Sequence, residues 1–295
     1  MTMADTDLLP IERRPDGITV LHLIPNPSKP RGGVVVLDAW LIGAIDRSVR
    51  HIAQSELRGF LLISDSDRVF VAGADLAEID SLDDAALHAY LQAGSVAFGR
   101  ISALPCPSAC VIHRAALGGG LELAMHCDAL FGVMPAAGDK GWKVGLPECG
   151  LGICPGWGGT VLLPARIEPA AAIGATMQGA PFDAARPPRG LFASTHETPA
   201  QAAEAAVAWL LAHPRSVSRS APPNACDAEH RDMTAAAIPF VRPQAAHAAA
   251  IAVIDAVQAG LKEGFAGAVR REQTHLVDLR HTPEARAKLS AFLKR

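Results

Sequence analysis

The sequence lacks an excess of positive charge, any long apolar run, and the close cysteine or histidine pairs that mark metal and redox sites. Its net charge of −3, from 27 Lys and Arg against 30 Asp and Glu, argues against a general nucleic-acid binder. No apolar stretch approaches the roughly 18 residues of a membrane helix, and Met1 to Leu9 has neither a basic start nor an apolar signal core. The expectation is a cytoplasmic protein without membrane contact. Six cysteines are present (Cys106, Cys110, Cys127, Cys149, Cys154, Cys226), but none is spaced Cys-x-x-Cys, and the 11 histidines include no His-x-x-x-His. Reduced, mostly buried thiols and no metal ion are therefore expected, and His126 reads as a helix-face residue rather than a catalyst. Also missing are Gly-x-Gly-x-x-Gly, Gly-Lys-Ser/Thr and Gly-x-Ser-x-Gly. That removes the dinucleotide, nucleoside-triphosphate and serine-nucleophile readings of the glycine-rich turns.

What is present describes a globular α/β chain. With 295 residues, 49% hydrophobic and 19% charged, it can bury a large core. Residues 8–13 and 18–23 flank Pro15-Asp16-Gly17 and read as an opening hairpin. Helical spacing runs from Leu37 to Ile52 and from Ser81 to Leu104, and strand-like runs lie at 59–64, 108–113 and 129–134. Repeating strand and helix units follow, compatible with a doubly wound sheet or with a spiral. Beyond them come an Ala-rich helical run from Glu197 to Leu211, a Pro/Ser/Arg-rich linker from Pro214 to His230, and helical patterns from Gln244 to Val269 and from Thr282 onward. Thr282-Pro283-Glu284 supplies a capping residue, a first-position proline and a first-turn acid.

Three segments carry candidate chemistry. Ser108 to His113 leads into Gly118-Gly119-Gly120-Leu121-Glu122, a strand-to-helix turn where backbone can approach a ligand closely. An N–H near Gly119, at a helix N-terminus, is placed to stabilise a negative oxygen. Glu122 falls in the first turn, where the helix dipole is expected to favour its ionised form. Val71-Ala72-Gly73-Ala74-Asp75-Leu76 offers a second small-residue turn and a second oxyanion donor. Gly145 to Thr160 presents Glu148 on a Gly/Pro-rich loop, where burial would raise its pKa and suit it to proton donation.

Together these segments resemble the crotonase superfamily, in particular the enoyl-CoA hydratase/isomerase family. Residues 178–191 and the tail 289–295 extend the resemblance over nearly the whole chain. It implies an α/β fold with a crotonase-like ββα spiral core at 1–195. A C-terminal helical region, 196–295, would pack between subunits of a homotrimer or dimer of trimers and contact CoA, with Phe292 and Lys294 at matching tail positions. It also implies that the N–H groups of Ala74 and Gly119 hold a thioester oxygen, and that Glu122 and Glu148 are the catalytic pair. Substrate contacts would come from Ala72, Gly73, Asp75, Leu76, Gly118, Pro147, Gly156 and Trp157, and from Lys29 or Arg31 in the loop Asn26 to Arg31, although a solvated loop charge is the simpler reading there.

The implied reaction is hydration of a 2-enoyl-CoA to a 3-hydroxyacyl-CoA, without metal or redox cofactor, CoA entering as part of the substrate. The alternatives are a double-bond isomerase using Glu148 alone or other crotonase-type acyl-CoA chemistry, and a non-catalytic CoA-ester-binding subunit. No dehydrogenase segment follows, so no nicotinamide is expected. Two departures stand out. The stretch from Asp128 to Glu148 is longer than in most relatives, with an extra loop about Gly138 to Trp142 whose Trp142 and Lys143 read as surface. Trp157 stands where relatives usually carry a smaller residue, and would limit the acyl chains accepted if it points into the pocket.

Overall fold

In the computed structural model, residues 8–136 and 138–294 are described. The reading of Met1 to Leu9 rests mainly on residues 1–7, which lie outside them, as do Ala137 in the lengthened stretch and Arg295 in the tail. The strands are β1 (Ile11–Arg13), β2 (Ile18–Leu23), β3 (Gly59–Ser64), β4 (Ser108–Ile112), β5 (Ala116–Leu117), β6 (Ala129–Val133), β7 (Lys143–Gly145), β8 (Phe182–Asp183) and β9 (Ser194–His196). Six of them form one sheet in the order β1-β2-β3-β4-β6-β9, antiparallel only at the β1/β2 hairpin. The other three form a small sheet, β5-β7-β8, beside the site.

The helices are α1 (Ala39–Ile52), α2 (Leu76–Ser81), α3 (Asp84–Ser102), α4 (Gly119–Met125), α5 (Gly159–Leu162), α6 (Pro169–Gln178), α7 (Pro199–Ala212), α8 (Arg231–Val241), α9 (Ala248–Glu263), α10 (Phe265–Leu279) and α11 (Pro283–Leu293). Every residue of β4 and β6 is buried, as parallel strands covered on both faces require. Alternate side chains serve opposite layers. Leu21, Phe60, Leu62, Cys110 and Ile112 pack with α1 and α3, whereas Val20, Leu61, Ala109, Val111 and Phe131 pack with Ala202, Ala206 and Leu210 of α7. Burying a side chain such as Leu210 is worth about 1.5–3 kcal/mol. The division expected at residue 195 falls inside β9, the last strand of the main sheet, and α7 beyond it packs on that same sheet.

The structure moves several expected boundaries. The run from Ser81 to Leu104 is helix α3 at Asp84–Ser102, capped by Asp83 at Ala86 N, while Ser81 ends the separate helix α2. The run from Gln244 to Val269 is also broken, because Gly264 takes φ +79 between α9 and α10. Helix α8 was not expected at all. Its Pro239 and weak amphipathic pattern disguise a helix that buries Ala237, Ile238 and Val241 against α6 and α9. The stretch 214–230 has no regular element but is tied down: Arg215 and Arg219 both pair with Asp128, and Ala225 N donates to Val161 O. Among the described residues no helix is long and apolar enough to cross a membrane.

Candidate active site

The three consecutive glycines at the start of α4 each make room for something different. A Cβ on Gly118, whose φ is +52, would collide with Glu148 Oε1; one on Gly119 would strike the Trp157 ring; one on Gly120 would strike the carbonyl of Val71. The turn is therefore a close meeting of four segments, and α4 carries Glu122 one turn further on. Opposite it, Leu37 N donates to Gly73 O and Asp75 N donates to Leu37 O. In an extended strand, N–H groups alternate in direction, so the N–H of Ala74 turns away from Leu37.

These segments enclose a cavity of about 330 Å³. Of the residues expected there, Ala72, Gly73, Ala74, Leu76, Gly118, Gly119, Glu122, Pro147, Glu148, Gly156 and Trp157 line it, joined by Phe292 from the tail. Asp75 and Lys29 do not. Asp75 caps α2 by accepting from Ala77 N and Glu78 N, while Lys29 is exposed on its loop. That loop also departs from a solvated reading: Asn26 is buried and donates to Asp38, and Arg31 pairs with Asp38 and Asp75. Lys294 lies in a separate surface hollow with Arg280 and Arg286. Trp142 and Lys143 stay outside the cavity: Lys143 is exposed and pairs with Asp183, as the surface reading expected, whereas Trp142 is half-buried against the core with Arg114 5.6 Å from its ring centroid.

Glu122 is 1% exposed, and its Oε1 accepts from the backbone N–H groups of Trp157 and Gly159, both at 2.8 Å. Burial holds its carboxyl well above the ordinary range, with Glu272 and then Glu148 adding to the effect and the two amides opposing it. The helix dipole was expected to favour the ionised form here; removal from water outweighs it. Glu148 opens a short turn, Glu148–Leu151, with its Oε2 shielded from solvent and without a hydrogen-bond partner. Burial pushes it up to about 8, with Glu272 contributing, as its Gly/Pro-rich surroundings led one to expect.

Glu272, on α10, was missed. It is fully buried, accepts from Gly158 N at 2.6 Å and from Thr160 N at 2.8 Å and Thr160 Oγ1 at 2.5 Å, and is pushed up to about 7 by burial. One signal was available: Glu272 shares the helical spacing of the buried Ala268, Val269 and Leu276, an acid on an apolar face.

His126 caps the end of α4 between Ser102 Oγ and Trp157 O, and burial pushes it down to about 4, so it is neutral. The cysteines are unpaired thiols, five of them buried and Cys226 half-buried. Trp157 is 2% exposed, donates from Nε1 to Leu91 O at 2.8 Å, and packs on Tyr90 and Phe98 at centroid distances of 5.7 and 5.3 Å. It is a fixed wall of the cavity.

Comparison with known proteins agrees with this architecture. The chain is 36% identical over 159 residues to the fatty acid oxidation complex subunit alpha of Shewanella baltica and to that of Shewanella oneidensis. The match covers 53% of this chain but only 21% of either relative. The fold is shared with an enoyl-CoA hydratase from Bacillus halodurans, at a TM-score of 0.67 and 18% identity over 96% of this chain and 99% of that one. A carnitinyl-CoA dehydratase from Mycobacterium thermoresistibile gives 0.67 and 19% over 98% and 90%. The sequence profile of the enoyl-CoA hydratase/isomerase family matches residues 37–207, more than half of the chain, and the protein belongs to that family.

Proposed function

We propose that the protein is an enoyl-CoA hydratase, adding water across the double bond of a 2-enoyl-CoA thioester to give a 3-hydroxyacyl-CoA. The observation that carries this is the pairing of two solvent-shielded glutamates, Glu122 and Glu148, on the wall of one cavity beside two turns able to offer N–H groups. The fatty acid oxidation relatives support an acyl-CoA substrate.

The thioester oxygen is held by the N–H groups of Ala74 and Gly119, which stabilise the enolate formed in the transition state more than the neutral carbonyl. The coupled carboxyls act with one of them ionised: Glu122 in its ionised state takes a proton from water as the water oxygen bonds to the β-carbon, and its raised affinity for that proton suits it to a base. The double-bond electron pair moves into the enolate, and protonated Glu148 delivers the proton to the α-carbon. One water is added, and one proton passes from Glu148 to substrate while another reaches Glu122. The carboxyls titrate as a coupled set, so their roles are those of the pair. Because the Trp157 ring is fixed between α3 and α4, the cavity is closed at that end and suits short acyl chains. CoA enters with the substrate, and no further cofactor takes part. A homotrimer or dimer of trimers is supported by exposed Met233, Phe240 and Ile251 on α8 and α9.

A second reading, double-bond isomerisation, is favoured by one detail: Glu122 Oε1 is engaged by two amides, whereas Glu148 Oε2 is unpartnered and could shuttle a proton alone. Absorbance of the conjugated enoyl thioester separates the two. Its loss with crotonyl-CoA supports hydration. No loss there, with a gain from a 3-enoyl-CoA, assigns isomerisation instead.

A further inference from the structure

Four consecutive backbone amides are shared alternately between two buried carboxylates. Trp157 N and Gly159 N donate to Glu122; Gly158 N and Thr160 N donate to Glu272, which also accepts from Thr160 Oγ1. The alternation requires the chain to reverse between donors, and Gly158 does so at φ +103. Glu272 comes from α10, more than 100 residues away in sequence, at |i−j| of 112 and 114 for its two amide donors. It does not line the cavity, so it does not meet substrate.

We propose that Glu272 is a positioning residue for Glu122: by gripping the amides of Gly158 and Thr160 it sets the backbone whose other two amides aim the Glu122 carboxylate at the cavity. This rests on the reading of Glu122 as the base. An apolar residue at 272 would leave three donors unpaired, whereas the Glu272 carboxylate, ionised above about pH 7, accepts all of them without offering a donor in return. Its negative charge also acts on Glu122 directly, raising that group's hold on a proton. The other titratable groups around the pair are Glu148, on the turn after β7, the thiols of Cys154 and Cys226, and the His126 imidazole. Burial pushes both thiols upward, Cys226 to about 11, and His126 down to about 4, so these three stay neutral near pH 7.

The test is Glu272→Gln, which keeps the shape but turns an amide donor toward Gly158 N–H or Thr160 N–H. Two readouts are needed. In protein carrying carbon-13 at the glutamate carboxyls, with Glu122→Gln assigning the resonance, Glu122 is expected to titrate at least about half a pH unit lower in Glu272→Gln. In the hydration assay, kcat is expected to fall roughly 10- to 100-fold with KM nearly unchanged, and the acid limb of the kcat/KM profile to move to lower pH. A Glu122 titration and pH profile that both stay in place would overturn the proposal, whatever the loss of stability. If Glu272→Gln does not fold, Thr160→Val removes only the hydroxyl donor. Glu272 then holds its own charge less well, and the Glu122 titration moves in the same direction by a smaller amount; no movement counts against the proposal. If the wild-type enzyme hydrates nothing, the hydratase reading fails, and the carboxyl titration still decides the role of Glu272.

Discussion

Trp157 occupies the space that any side chain on Gly119 would need, and its indole nitrogen occupies the space of any side chain on Gly94. Neither glycine has a positive φ, so the ring rather than the backbone explains them. The three residues form a clasp joining α3, the first residue of α4 and the loop that holds Glu122. Trp157→Leu should cost about 2–4 kcal/mol of stability from lost packing and a vacated cavity. Among variants that stay folded, kcat/KM should shift by about tenfold from short toward longer 2-enoyl-CoA chains. Competition between CoA esters of increasing chain length measures this, and an unchanged ranking would show that the chain does not run toward Trp157.

Gly94→Ala tests the same clasp from the other side. The added methyl meets the Trp157 ring nitrogen and must displace either the ring or α3, at a cost of about 1–3 kcal/mol. Denaturant unfolding should show that loss, and combining Gly94→Ala with Trp157→Leu should recover most of it, because the two residues share one space.

Much of this arrangement was legible in the sequence. The apolar runs of β2, β3, β4 and β6, the glycine run before Glu122 and the Pro-Glu pair at 148 record short-range requirements, so run length and turn chemistry expose them. Thr282 caps α11 as its side-chain chemistry dictates. What stayed hidden depends on distant partners. Glu272 reads as an ordinary helix acid until Gly158 and Thr160 are brought to it, and Arg31 reads as a solvated loop charge until Asp38 and Asp75 meet it. The ionisation of Glu122 was misjudged for the same reason, since local helix geometry favours the charge and tertiary burial opposes it.

The buried carboxyls should give stability an unusual pH dependence. Glu148 and Glu272 are raised from an ordinary 4.5 to about 8 and about 7, so between these limits the folded chain holds protons that the unfolded chain has released. Their contribution is greatest near the low end and is lost as pH rises, at up to about 1.4 kcal/mol per pH unit per group. His126 acts oppositely below its ordinary 6.5, because the unfolded imidazole takes a proton that the buried one refuses until about 4. Tm should therefore fall between about pH 6.5 and 8, and less steeply in Glu148→Gln. A flat or rising Tm over that window contradicts the burial described for these groups.

Arg166 anchors the end of α4. Its Nη2 donates to the carbonyls of Met125 and Cys127 at 2.9 and 2.5 Å, groups the helix itself leaves unpaired. Arg166→Met should destabilise by about 2–4 kcal/mol by orphaning both. Urea denaturation gives the value, and a change within about 0.5 kcal/mol would mean that water replaces the guanidinium without loss.

Glu122→Gln and Glu148→Gln should each lower turnover by roughly 10²–10⁴-fold while keeping the fold, since each exchanges one oxygen for nitrogen. The most direct test of the account combines these variants with crotonyl-CoA in heavy-oxygen water, reading the product by mass. The account predicts a 3-hydroxyacyl-CoA carrying the heavy oxygen, formed by the wild-type enzyme and nearly abolished by either substitution. A wild-type enzyme that converts enoyl-CoA without incorporating that oxygen, or one that incorporates it equally well without either glutamate, would contradict it.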